Sequence, residues 1–238
     1  MFRKLFFCVC LSALFALSPA QAHQPSQHAD SKASGTTLSQ SPSNKVLLKA
    51  PDLDRSRTAR SQENPPRSRR RQVAREYFTD LRLITQEGNE VQFYTDVLEG
   101  RVVLINGFFT DCHGICPTQN LVLSGLQGLL GERLGREVFI VSITLDPEND
   151  TPDRVKEYTQ GFDTRPGWLF LTGKPENVNW VNYKLGQYIE NPEDHKGIYL
   201  LGNLKTGLWK KFLASAQKEI LFNQLQGLLE DRGQTGNE

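Results

Sequence analysis

RVVLINGFFTDCHGICPTQNLVLSGLQGLL, residues 101–130, is the stretch from which the fold is read. Arg101 to Phe109 is a nearly continuous apolar run, the pattern of a strand buried on both faces rather than on one. From Val122 the apolar residues recur at helical spacing, through Leu126, Leu129 and Leu130 to Leu134, which predicts a helix with one apolar face. Val138 to Leu145 then repeats the buried-strand pattern. Strand, helix, strand is the unit that builds a parallel sheet, because the crossover helix packs back on the sheet it leaves.

The flanking segments extend that unit. Leu81 to Ile84 and Val91 to Tyr94 flank Gln86-Glu87-Gly88-Asn89, which predicts a small hairpin. Thr151 before Pro152 supplies the N-cap and first-turn proline of a helix running through Val155 and Tyr158 to Phe162. Trp168 to Thr172 reads as a strand and Pro175 to Leu185 as a helix. Gly197 to Leu201 and Leu208 to Phe212 read as a second hairpin, after which Ser215 caps an amphipathic helix through Ile220, Leu221, Leu225 and Leu229. This order predicts an α/β fold, a thioredoxin-like three-layer sandwich with an extra N-terminal β-hairpin.

The N-terminus reads differently. MFRKLFFCVCLSALFALSPAQA has basic Arg3 and Lys4, an apolar run of 13 residues from Leu5 to Leu17, then Ala20-Gln21-Ala22. That is the pattern of a secretory signal peptide over residues 1–22, and the run falls short of the roughly 20 residues that span a bilayer. Cleavage would remove Cys8 and Cys10, leaving only Cys112 and Cys116 of the four cysteines. Export, to the periplasm if the source is a Gram-negative bacterium, implies an oxidising compartment where two such thiols pair unless reduced or metal-bound.

Residues 23–75 are rich in Ser, Gln, Pro and Arg, with one apolar patch at Val46, Leu47 and Leu48 and a basic run at Arg67, Arg69, Arg70 and Arg71. Such a composition cannot bury enough apolar surface to offset chain entropy, so a disordered linker is expected there. The arginines suit either peripheral contact with anionic lipid or a solvated tether. His23 and His28 read as solvated side chains. Residues 76–231 form the expected domain, of ordinary single-domain size, and 232–238 a flexible tail. With 28 Lys+Arg against 27 Asp+Glu, and two of the basic residues in the signal segment, the charge balance gives no reason to expect a nucleic acid partner.

Cys112 and Cys116 fall at the exit of the first buried strand, just before the helix, with Pro117 suited to its first turn. Strand exits in open α/β sheets are where ligands bind, and helix N-termini lower cysteine pKa values. A three-residue spacer leaves room for a cation between the sulfurs while permitting a disulfide, and two sulfur donors select soft metals such as Cu(I). His113 lies between the cysteines, where its side chain should diverge toward solvent. His195, just ahead of a predicted strand, reads equally as a third ligand or as a surface histidine.

Three motifs together resemble the Sco/SenC family. FFTDCHGICPTQN (108–120) is similar to its Thr-x-Cys-x-x-x-Cys-Pro pattern, VSITLDPENDTPDRVKEY (141–158) to its Asp-Pro-x-x-Asp-Thr-Pro segment, and DHKGIYLL (194–201) to the stretch carrying its distal histidine. The resemblance runs from about Tyr77 to Leu228. It implies a thioredoxin-like domain holding one copper ion through Cys112, Cys116 and His195, with Asp146 beside the site or serving as a turn residue. It also implies a copper-accepting subunit of cytochrome c oxidase as partner, through copper delivery or preparation of that subunit's thiols. The alternative is a thiol-disulfide oxidoreductase using Cys112 and Cys116 with thiol-disulfide exchange proteins as partners and no copper transfer. Two departures from the family pattern stand out: GNLKTG (202–207) replaces its Asp-Pro-Asp-Gly turn, and Gly107 interrupts the strand before the cysteines.

Overall fold

Every residue of Val102–Phe108 is buried, and the strand they form lies deep in the sheet, where the apolar run required it to be. The computed structural model describes residues 66–233. The expected signal peptide, the linker as far as residue 65 and residues 234–238 of the tail lie outside the described residues. The strands are β1 (Arg82–Thr85), β2 (Glu90–Gln92), β3 (Val102–Phe108), β4 (Val138–Thr144), β5 (Trp168–Thr172), β6 (Ile198–Asn203) and β7 (Leu208–Leu213). The helices are α1 (Arg67–Phe78), α2 (Ile115–Leu130), α3 (Pro152–Thr159), α4 (Pro175–Lys184) and α5 (Lys218–Glu230). None of these helices is long and apolar enough to cross a membrane.

All seven strands join one sheet in the order β2-β1-β5-β4-β3-β6-β7. β3, β4 and β5 run parallel, whereas β6 pairs antiparallel with β3, β7 with β6, and β1 with both β5 and β2. Alternate strand residues serve two cores. Leu104, Ile140 and Phe170 face one side with Leu123 and Leu126 of α2 and Leu221, Leu225 and Leu228 of α5. Ile105, Val141 and Leu171 face the other with Val178 and Val181 of α4 and with Phe93, Tyr94, Val97 and Leu98. The result is the expected thioredoxin-like α/β sandwich of three layers. Gly107 has its reason in this packing: a Cβ there would sit 2.8 Å from the Leu145 side chain.

Three expectations are corrected, the first being the cap of the last helix: α5 is preceded by Gln217 without a side-chain cap, not by Ser215. The strand expected to continue through Phe93 and Tyr94 stops at Gln92, and Phe93–Leu98 form a π-helical turn that buries both aromatic rings. The linker expected to extend to residue 75 gives way to α1 at Arg67. Apolar residues hidden in the arginine run explain it, because Ala74 and Phe78 share one helix face and pack into the core beside Trp209. Side-chain ties complete the docking: Arg71 pairs with Glu99, Arg75 with Asp80, the Tyr94 hydroxyl donates to the Arg71 carbonyl and the Tyr77 hydroxyl to that of Lys184.

The exits of β3, β4 and β5 are bound together by one buried acid. Asp150, 1% exposed, accepts from the Thr110 backbone N–H at 3.2 Å, from the Thr110 hydroxyl at 2.6 Å and from the Thr144 hydroxyl at 2.5 Å. Its own carbonyl accepts from the Thr172 hydroxyl at 2.5 Å. Thr110 begins the loop that carries Cys112, so the acid holds that loop against the sheet. Asp146, four residues earlier, accepts from the Asn149 side-chain amide and caps the same turn.

Phe78→Ala should lower the unfolding free energy by about 3 kcal/mol in urea denaturation, a cost that an undocked α1 would not show. Burial raises the pKa of Asp150, outweighing the threonine hydrogen bonds that pull it down. The native state therefore keeps a proton that the unfolded chain has released between the ordinary carboxylate value and the raised one. The stability this group contributes is full below the ordinary value and is lost as pH rises through the raised one. Asp150→Asn, which cannot ionise, should gain on the wild type across that window and keep a constant offset above it. Denaturation midpoints between about pH 3 and about pH 8 check this, and parallel curves would contradict it.

Candidate metal centre

The loop after β3 turns tightly, with the Cys112 N–H donating to the Phe109 carbonyl at 3.2 Å, and α2 begins at Ile115. Cys112 and Cys116 are both free thiols, 5% and 1% exposed, on the core side of the sheet covered by α2 and α5. The Cys116 backbone N–H donates to the Cys112 sulfur at 3.4 Å, so the first turn of the helix wraps that sulfur. From outside, Arg154 on α3 clamps the loop through Asp111 at 2.8 Å.

His195 comes from the opposite direction. β6 pairs with β3 in the register Asn106↔Tyr199, so the residues ahead of β6 run beside those that follow β3. Gly197 lets the chain enter β6 at a positive φ of 56°, where a Cβ would meet Ala214 at 2.9 Å and the side chains of Gln119 and Ile115 at 3.1 Å. A short 3-10 turn, Pro192–Asp194, then presents the imidazole. His195 Nδ1 donates to the Pro192 carbonyl at 2.9 Å, because a carbonyl can only accept. Nε2 is thereby left with its lone pair facing the thiols, 3.3 Å from the Cys116 sulfur and 4.0 Å from that of Cys112. Phe109 packs edge-on against the imidazole at 5.3 Å between ring centroids.

The three donor atoms lie within 4.8 Å of one another, and among the described residues no other group of histidines, cysteines or acids is so arranged. Bonds of about 2.0–2.3 Å to a common ion place donors up to about 4.6 Å apart, so this triangle fits one ion after minor adjustment. Two sulfurs and one imidazole suit a soft ion and fall one ligand short of a closed structural zinc site. His113 is exposed and outside the group, and Asp146, half-buried with its carboxylate engaged by Asn149, is outside it too.

The expected lowering of cysteine pKa by the helix N-terminus is reversed at Cys116. Burial, followed by the hydrogen bond and charge of Cys112, drives that thiol well above the ordinary cysteine value. Tyr158 adds to the dry surroundings. Burial and then the two cysteines push its phenol up, and Asn120, one turn beyond Cys116, donates to its hydroxyl at 2.6 Å. Neither Asp150 nor Tyr158 was singled out from sequence as part of the site, although both lie in the 141–158 motif. Beside His195 a cavity of about 270 Å³ opens between Leu145, Tyr188, Lys196 and Leu213.

The SCO1/SenC family model matches residues 69–228. A Stutzerimonas stutzeri protein named as copper-binding is 33% identical over 127 residues, covering 52% of this chain and 60% of that relative's length. The crystal structure of Arabidopsis thaliana ScoI with copper bound superposes with a TM-score of 0.53 at 26% identity, over 63% of this chain and 96% of that one. BsSco, whose structure was described in identifying a disulfide switch in a member of the Sco family of cytochrome c oxidase assembly proteins, shares the fold at 22% identity. Its TM-score is 0.55, over 64% of this chain and 93% of its own. With the motif order, the sheet topology and the two-cysteine, one-histidine cluster in agreement, the chain belongs to the SCO1/SenC family.

Proposed function

We propose that the chain binds one copper ion through Cys112, Cys116 and His195 and passes it to the copper-accepting subunit of cytochrome c oxidase. The observation that carries this reading is the convergence of two buried sulfurs and an oriented imidazole within 4.8 Å, from segments about eighty residues apart in the chain. The S. stutzeri relative named as copper-binding and the copper-bound Arabidopsis structure support the metal. The oxidase is supported by the family to which BsSco is assigned. Copper is cargo in this reading: a three-donor set leaves the ion open to an incoming ligand, as transfer by exchange requires. The signal-like pattern of residues 1–22 supports export in this reading, with cleavage after Ala22.

A second reading is favoured by the same sulfurs. Two free thiols in one turn, each within 4.8 Å of the other, can close to a disulfide with little backbone movement. In that case one thiolate attacks a substrate disulfide and the other resolves the mixed disulfide, leaving the substrate reduced and Cys112–Cys116 oxidised. His195 has no part in that chemistry, which separates the two readings.

Titration of the reduced protein with Cu(I) should saturate at one equivalent. His195→Ala should weaken binding by at least about tenfold, and Cys112→Ser or Cys116→Ser by more, since even losing a group that merely supports a ligand costs that much. Unchanged affinity in His195→Ala would remove the imidazole from the site. Full disulfide-reductase activity in His195→Ala, with negligible copper uptake by the wild type, would establish the thiol-disulfide reading instead.

A further inference from the structure

On the sheet face opposite the cysteines, α1, α4 and the β6–β7 hairpin enclose a groove of about 880 Å³. Its floor is apolar, formed by Phe78, Leu185 and Trp209, and its rim carries Arg69, Arg70 and Lys184. That volume is in the range of sites that take a small amphiphilic molecule.

The lining contributed by α1 is polarised. Arg69, Val73 and Tyr77 form one row at i, i+4, i+8, and Arg70, Ala74 and Phe78 form the neighbouring one. Each row begins with an arginine and ends in an aromatic ring about 12 Å further along the helix. Among the described residues Arg69, Arg70 and Lys184 form no ion pair, unlike Arg71 and Arg75. The Nε of Arg70 is buried without a hydrogen-bond partner. The first turn of α1 holds no acidic residue, so these arginines stand at the positive end of the helix dipole, where cations are disfavoured until an anion neutralises them. The outer rim is amphipathic as well. Val73 and Tyr77 are 56% and 50% exposed, and the Lys184 ammonium lies over both the Tyr77 and Trp180 rings, with Tyr183 stacked on Trp180. Next to it lies a cleft lined by Arg67 and Lys205 and by the Arg71–Glu99 ion pair.

We infer that this groove takes an anionic phospholipid, with the phosphate met by Arg69 and Arg70 and an acyl chain laid along Tyr77, Leu185 and Trp209, seating this face of the domain on a membrane surface. Charge complementarity selects this occupant. The groove presents unpaired cations at one end, apolar surface along its length, and tyrosine and tryptophan at its mouth, the residues that favour the water–bilayer interface. The sheet lies between this groove and the cysteine cluster, so the inference stands independently of what Cys112 and Cys116 bind.

The test uses the full chain and vesicles of phosphatidylcholine with and without phosphatidylglycerol, both vesicle types carrying the same fraction of brominated acyl chains. The three tryptophans are Trp168, Trp180 and Trp209. Trp168 is buried in the other core and no tryptophan lies nearer the N-terminus, so quenching reports the groove face and not the apolar run at residues 5–17. Wild type should be quenched by anionic vesicles, little by neutral ones, and less as salt is raised. Arg69→Glu with Arg70→Glu should weaken the response at least twentyfold, since one basic residue at a charged membrane is worth about fivefold. The milder Arg69→Gln, at an exposed position, should weaken it about fivefold with α1 intact by circular dichroism. Equal quenching by neutral vesicles, or an unchanged response in both arginine variants, would overturn the inference. Absence of vesicle binding would also overturn it, leaving the groove to an acidic protein partner.

Discussion

One antiparallel pairing, β6 against β3, is the constraint on which the candidate centre depends. Parallel strands alone would end side by side and leave each strand start at the far edge of the sheet. Because β6 runs the other way, its start lies at the exit of β3, and continuing the Asn106↔Tyr199 register brings position 195 opposite position 110. The same corner is stitched to the helix bearing Cys116. Gln119, three residues on, donates to the Ile198 carbonyl at 3.3 Å, and the Tyr199 hydroxyl donates to the Gln119 carbonyl at 3.5 Å. A side chain distant in sequence thus becomes a neighbour through backbone pairing, which is cooperative with the whole sheet.

The second determinant is dryness. A thiol at a helix N-terminus is acidified by the dipole only while water or a counter-charge can share the cost of the thiolate, and Cys116 has neither. Burial holds its pKa up, and the Nε2 of His195 lies 3.3 Å from its sulfur. A soft cation relieves both penalties together, by replacing the proton and by neutralising the sulfur it binds. The two thiols are closed to solvent. An exposed pair with the same spacing would be far more prone to air oxidation.

How much of this was legible in the sequence depends on which force decided each element. β3, β4 and β5 are set by burial on both faces, and a run such as Val102–Ile105 has no other reading. The hairpin Ile198–Leu213 is set by turn residues between two apolar runs and was equally readable. α1 was hidden because composition and periodicity conflict in it: five arginines dominate the average, while Ala74 and Phe78 do the packing. The turn at Phe93–Leu98 was hidden for a related reason, since aromatic residues after Val91 look like a continuing strand until tertiary burial pulls both rings to one side. At the site the cysteines announced themselves by position. His195 required the register of two distant strands, which no local pattern encodes. Asp150 sat within a recognised motif beside Thr144, but its role rests on Thr110 arriving from a segment forty residues away.

The two halves of the cluster are held differently, and this bears on which group yields first. The cysteine loop is fastened by long-range contacts, Thr110 to Asp150 and Asp111 to Arg154, each about forty residues apart in sequence. The ring of His195 is oriented by one hydrogen bond within its own turn, to Pro192, and by the T-shaped contact with Phe109. Displacing the sulfurs means breaking a buried acid's hydrogen bonds at the ends of three strands. Displacing the imidazole breaks one local bond, on a segment bounded by Gly186 and Gly197, both at positive φ, with a cavity beside it to receive the ring. The energetic ordering follows from that difference: the sulfurs form the fixed base of the cluster, and the imidazole is the group whose departure disturbs the fold least.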